Sequence, residues 1–150
     1  MCTYLKEIEL KTATHDIKVY KLVKWEDGKF FAPYRNVEYP SNTLHTELGK
    51  VVTNPYCSSY IMQTGSCSFM CKHSINIGLH SFKSKLHAKQ ALKNKPWEPH
   101  FRWLVIKAVI PKGSQYYEGF SDYHVGGYLI KPVYVSDNLI LYPEEIIAQM

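Results

Sequence analysis

Between Gly78 and Ser84 the chain reads Gly-Leu-His-Ser-Phe-Lys-Ser and then enters a short basic segment. His80, Ser81, Lys83 and Ser84 all carry hydrogen-bond donors. Gly78 can adopt a positive φ, or let another chain or a ligand approach closely. Ser84 is a good N-cap for the residues that follow. A helix start offers free N–H groups and the positive end of a dipole, so this collection favours an anion, phosphate above all. His80 adds a ring that can bind a phosphate or ribose, or exchange a proton near neutral pH.

The surrounding charge points the same way. From Lys50 to Tyr117 there are ten Lys/Arg and one acid, Glu98, a balance of +9, whereas the rest of the chain carries −4. An anionic partner is the expectation: a nucleotide-like small molecule or a nucleic acid. Lys83, Lys85, Lys89 and Lys93 either form a phosphate-facing stripe or a solvated helix face.

Other residues admit chemistry beside a plainer role. Glu118, in Gln115-Tyr116-Tyr117-Glu118, is either a catalytic carboxylate or an exposed strand residue. Asp122-Tyr123-His124 with Gly126-Gly127 reads as an acid–base pair in a glycine-rich loop, or as a turn. Trp97, His100, Phe101, Arg102 and Trp103 interleave aromatics with bases, as a base-stacking surface does. They equally fit a strand with Phe101 and Trp103 turned inward and Arg102 outward. Cys57, Cys67, Cys71 and His73 are ligand types that suit zinc, but the spacing is irregular and free thiols are the expectation, so no metal is assigned. The sequence contains no Ser-His-Asp nucleophile motif, P-loop or Rossmann glycine fingerprint.

These residues need a frame. At 150 residues with 45% hydrophobic side chains, one domain with its own core is expected. Tyr alone contributes 12 residues, which favours sheet. Ile17 to Trp25 alternates with period two and predicts a strand. Asp27-Gly28 predicts a hairpin turn returning through Phe30 to Ala32. Arg35 to Gly65 lacks a sustained period and reads as a long loop with one or two short strands. Ser68 to Cys71 and Ile75 to His80 are further strand candidates. Lys85 to Lys93 is the main helix, stopped before Pro96. Phe101 to Ile110 is apolar on both faces and predicts a central strand. Strands are expected at Gln115 to Gly119, Tyr128 to Val135 and Asn138 to Tyr142. Pro143 with Glu144 and Glu145 predicts a short C-terminal helix. The fold class is α+β, with a mostly antiparallel, partly split sheet. No apolar run is long enough for a membrane helix, and Met1 to Glu7 lacks the apolar core of a signal peptide, so a cytoplasmic location and no membrane partner are expected.

The order of these pieces resembles the plan of the ADP-ribosyltransferase-like superfamily. A strand carrying Val19-Tyr20-Lys21 comes first. Gly78-Leu79-His80 then leads into a helix containing Ala88-Lys89-Gln90-Ala91, and a strand ending in Pro111-Lys112-Gly113 follows. The Gly-Leu-His-Ser-Phe piece is similar to small phage and bacterial domains with a Gly-Phe-His-aromatic or Gly-Phe-His-Ala motif. The resemblance implies NAD as a cofactor or substrate. Tyr20 or Lys21 on the first strand would hold its ribose and diphosphate, with Gly78, His80, Ser81, Lys83 and Ser84 around it. Glu118 would stabilise positive charge at the ribose, although its spacing departs from the usual Glu/Gln-x-Glu pattern. The resemblance also admits a non-catalytic phage-type inhibitor, acting on a host protein in the host cytoplasm or sequestering a nucleotide.

Overall fold

In the computed structural model of the chain, the described residues are 3–5, 9–33, 37–53, 73–75, 77–93, 95, 100–121 and 131–149. They form twelve strands and one helix in one connected sheet: β1 (Thr3–Leu5), β2 (Lys11–Thr12), β3 (Ile17–Glu26), β4 (Lys29–Phe31), β5 (Thr43–His45), β6 (Val52–Thr53), β7 (His73–Ile75), β8 (Leu79–Phe82), α1 (Lys85–Lys93), β9 (Arg102–Ile110), β10 (Gln115–Ser121), β11 (Lys131–Ser136) and β12 (Asn138–Gln149). The sheet runs β5-β12-β9-β3-β8-β11-β10-β1-β7-β6, with β4 beside β3 and β2 beside β10, and its strand pairs are antiparallel. The fold is therefore mostly antiparallel sheet with one helix among the described residues.

The sheet is nearly divided in its middle. β3 pairs with β9 at nine positions, from Ile17↔Ile110 to Trp25↔Arg102, but meets β8 only at Tyr20↔Phe82. Alternation along β3 feeds two cores. Val19 and Val23 pack with Leu104, Ile106, Ile110, Tyr134 and Leu139 on one face. Tyr20 and Leu22 join Phe82, Trp103, Val105 and Val133 beneath Ala88, Ala91 and Leu92 of α1 on the other. A third cluster, Leu5, Ile75 and Val135, closes the far half. β9 is central, between β12 and β3, with Trp103, Val105 and Ile106 buried, as its two apolar faces predict. The Asp27-Gly28 turn has positive φ at both residues, 49° and 78°, as a type I′ hairpin requires.

The C-terminal segment corrects the sequence reading. Pro143 to Gln149 is not a helix but the second half of β12. Pro143-Glu144-Glu145 is a local helix start, yet Ile146-Ile147 is β-branched and favours extended chain. β9 also offers a free edge along its whole length. β12 takes it, pairing Ile146↔Ile106, Ala148↔Val105 and Gln149↔Leu104, with register shifts after Tyr142 and after Ile146 that absorb the irregular stretch. The strand expected at Ile75 to His80 is two strands, β7 and β8, with Gly78 between them. Ser68 to Cys71 lies outside the described residues.

Candidate functional site

Ser84 occupies the N-cap of α1, and its carbonyl accepts the Ala88 N–H at 3.1 Å. Lys83, Lys85, Lys89 and Lys93 are exposed around and along this helix. Gly78 has φ of 152°, and a Cβ there would run into Val135 Cγ1 and press on Leu48 Cδ2 at 3.0 Å. The close approach this glycine permits is thus to the chain itself.

Directly paired residues in a sheet share a face. Tyr20 and Phe82 are paired and lie on the α1 face, so their neighbours Lys21 and Ser81 share the opposite one. Ser81 pairs with Tyr134, and Tyr134 with Glu118. Lys21, Ser81, Tyr134 and Glu118 therefore form a row across four successive strands, β3, β8, β11 and β10. His80 lies on the same face as Tyr20 and Phe82. The residues chosen from sequence are thus divided between two faces: Lys21, Ser81 and Glu118 on one, Tyr20 and His80 on the other.

Lys21 is 4% exposed, and its Nζ donates to the His80 carbonyl at 2.6 Å. Burial pulls its pKa down to about 8. Ser81 is 1% exposed, and its hydroxyl has no hydrogen-bond partner among the described residues. His80 is 7% exposed, and its Nδ1 lies 3.1 Å from the Gly78 carbonyl, which assigns the proton to Nδ1. The Ile75 carbonyl lies toward the ring as well and favours its protonation, but no acceptor completes a hydrogen bond at Nε2. Burial first, and the Lys21 charge second, push the His80 pKa down to about 3. The ring is accordingly neutral at physiological pH and serves as a donor to Gly78 rather than as a proton carrier near neutrality.

At the other end of the row, Glu118 Oε2 lies 3.3 Å from Lys11 Nζ, with both side chains partly exposed. Burial, and then the Glu118 carboxylate, push the Tyr134 phenol up to about 12. Tyr116 meets the Tyr134 ring edge-on at 5.5 Å. Sequence reasoning passed over Tyr134 and Lys11. Alternation along Lys131–Ser136 gives Tyr134 a face, but its register against Glu118 and Ser81 has no local signal.

The aromatic–basic stretch is structural in its inner half. Trp103 is buried, Phe101 half-buried and Arg102 exposed. Lys24 Nζ stands 5.0 Å from the Phe101 ring and 4.9 Å from the Trp103 ring. Arg102 lies over Trp25 at 5.9 Å and donates to Gln149 Oε1 at 2.7 Å. The basic block is also not free of acids: β12 lays Glu145 against Lys107 at 3.2 Å.

Three hollows are lined by described residues, and none of these three includes Lys21 or residues 78–84. Cys57, Cys67, Cys71, Trp97, Asp122, Tyr123, His124, Gly126 and Gly127 lie outside the described residues. Among the described residues no three His, Cys, Asp or Glu side chains could together hold a metal ion, and no helix is long and apolar enough to cross a membrane. Comparison with protein-family models, with curated proteins and with solved structures finds no match.

Proposed function

We propose that the chain binds a phosphate-bearing ligand, of nucleotide or NAD-like kind, where β3 and β8 part. The observation that carries this reading is that Lys21 and Ser81, each next to the one β3–β8 residue pair, are both buried on the same face at the split. A buried ammonium holding one hydrogen bond, beside a buried hydroxyl holding none, is costly unless something else satisfies them. A phosphate oxygen accepts from both. Because β3 and β8 are joined by one residue pair, parting them there breaks little of the ladder. The resemblance to ADP-ribosyltransferase-like proteins assigns ligand contacts to the first strand and to the Gly-Leu-His segment, here neighbours in the sheet. In the enzymatic form of this reading, Lys21, positioned by its bond to the His80 carbonyl, holds the dinucleotide, and Glu118 stabilises positive charge at the ribose during transfer or hydrolysis at the nicotinamide bond.

A second reading is favoured by the Lys11–Glu118 ion pair, which already engages the one carboxylate of the row. In that reading the protein sequesters a nucleotide, or blocks a host protein, without chemistry. A nucleic-acid role rests on the basic block, which Glu145 partly neutralises at Lys107.

Calorimetry with NAD, cyclic nucleotides and short oligonucleotides, at two salt concentrations, tests these readings. Binding of a mononucleotide or NAD with shallow salt dependence, weakened in Lys21→Met, is the expected result. No response to any of them removes the proposal, and binding of oligonucleotides alone with steep salt dependence replaces it with nucleic-acid binding. Nicotinamide release from NAD, lost in Glu118→Gln, separates the enzyme from the non-catalytic binder.

A further inference from the structure

Away from the split, a hollow of about 380 Å³ opens between the β5 end, the β11–β12 junction and β10, and Glu47 and Asp137 are its acidic lining residues. Asp137 is the fixed point. Its N–H donates to the Gln115 carbonyl at 3.1 Å, and its carbonyl accepts the Thr46 N–H at 2.9 Å. Its Oδ1 accepts from Gln115 N at 3.0 Å and from Asn138 Nδ2 at 2.9 Å. Its Oδ2 makes no hydrogen bond to a described residue. Because Asn138 Nδ2 is spent on Asp137, Asn138 Oδ1 is the acceptor facing His45 Nδ1 at 2.8 Å. That assignment puts a proton on Nδ1.

Glu47 lines the same hollow, and neither it nor Asp137 is in an ion pair among the described residues. Leu10, Leu48 and Tyr117 complete the wall. The lining thus combines two carboxylates, an imidazole and an aromatic side chain. A metal does not suit it, since no three ligating side chains come together here. A flat cation with several divergent donors does: a guanidinium bonds two separated carboxylates at once, stacks on an aromatic ring, and lays its alkyl stem on leucine. The volume suits one such side chain.

We propose that this hollow is a binding site for a guanidinium group, independent of any ligand at the β3–β8 split. The test is a titration of the whole chain with N-acetyl-arginine amide, with N-acetyl-lysine amide, and with a short arginine-containing peptide, followed by amide chemical shifts. The expected result is saturable shifts at Thr46, Gln115 and Asp137 with the arginine compound, and binding several-fold weaker with the lysine compound. Glu47→Gln, an exposed position, should weaken the arginine compound about tenfold, the loss of one charge-assisted bond. Asp137→Asn should do the same if its melting temperature stays near that of the parent chain. A peptide that binds tighter than the free compound identifies a polypeptide as the source, and equal binding identifies a small molecule. No saturable shift, equal affinity for the arginine and lysine compounds, or unchanged affinity in Glu47→Gln would overturn the proposal.

Discussion

The Lys21 ammonium donates to the His80 carbonyl at 2.6 Å, and this bond spans the place where β3 and β8 separate. It ties a side chain of one strand to the backbone of the next, close to the single ladder pair, Tyr20↔Phe82. Burial alone lowers the Lys21 pKa to about 8, and burial first, then the Lys21 charge, hold the His80 pKa at about 3.

Lys21 makes stability rise with pH in the alkaline range. The unfolded chain holds the lysine proton up to about 10.5, whereas the folded chain releases it near 8, so between these values the unfolded state binds more protons. Deprotonation therefore favours the folded state progressively across that window. The full effect is about 3 kcal/mol, at about 1.4 kcal/mol per unit. Urea unfolding at pH 8 and pH 10.5, compared with Lys21→Met, isolates it from the tyrosines that titrate in the same range. Parallel pH profiles for the two proteins would show that Lys21 is not buried as a cation.

His80 acts on the acid side. The unfolded ring protonates below its ordinary pKa of 6.5, while the folded ring stays neutral down to about 3. Stability is thus complete above the upper value and is lost as the pH falls through the window. At pH 5 the loss is about 2 kcal/mol relative to pH 7. His80→Asn can keep a donor to the Gly78 carbonyl and removes the titration, so its acid profile should be flatter. A variant as acid-sensitive as the parent would assign the acid response to other groups.

Ser81 gives a sharper test of the site, because stability and binding should move in opposite directions. Its hydroxyl is buried without a partner, so Ser81→Ala relieves an unmet hydrogen-bonding group and should leave the free protein equally stable or up to about 1 kcal/mol more stable. The same change should weaken any phosphate ligand held with Lys21. Thermal unfolding and nucleotide titration of one variant report both. Destabilisation of the free protein would mean that the hydroxyl has a structural partner.

Local features were legible in the sequence, and long-range ones were not. The β9 strand, the Asp27-Gly28 turn and the Ser84 cap follow from composition and spacing within about ten residues. The row Lys21–Ser81–Tyr134–Glu118 does not, because it depends on register between strands far apart in the chain. Sequence placed His80 with Ser81 in one site, but adjacent strand residues face opposite ways, so β8 separates them. The C-terminal segment failed for the complementary reason. Pro143-Glu144-Glu145 satisfies a local helix rule, and the unpaired length of β9, fixed elsewhere, overrides it. The glycine at position 78 is expected to admit another chain or a ligand, whereas in the fold the close neighbours are Val135 and Leu48 of the chain itself.

Two glycines with positive φ separate backbone strain from crowding. Gly28, at φ 78°, has nothing within 4 Å of an added Cβ, so Gly28→Ala costs only the conformational penalty, about 1 kcal/mol. Gly78, at φ 152°, meets the same kind of penalty and in addition drives the new methyl into Val135 Cγ1, with Leu48 behind it. Overpacking of this sort adds about 1–3 kcal/mol. Gly78→Ala should therefore be clearly the more destabilising of the two in chemical denaturation. Val135→Ala removes the colliding methyl at the expense of a cavity among Leu5 and Ile75. Combined with Gly78→Ala, it should cost less than the sum of the two single changes, because each relieves the other. Strict additivity would show that the Gly78 backbone moves away from β11 instead, and would place the cost of Gly78→Ala in the β7–β8 turn rather than in the packing beneath it.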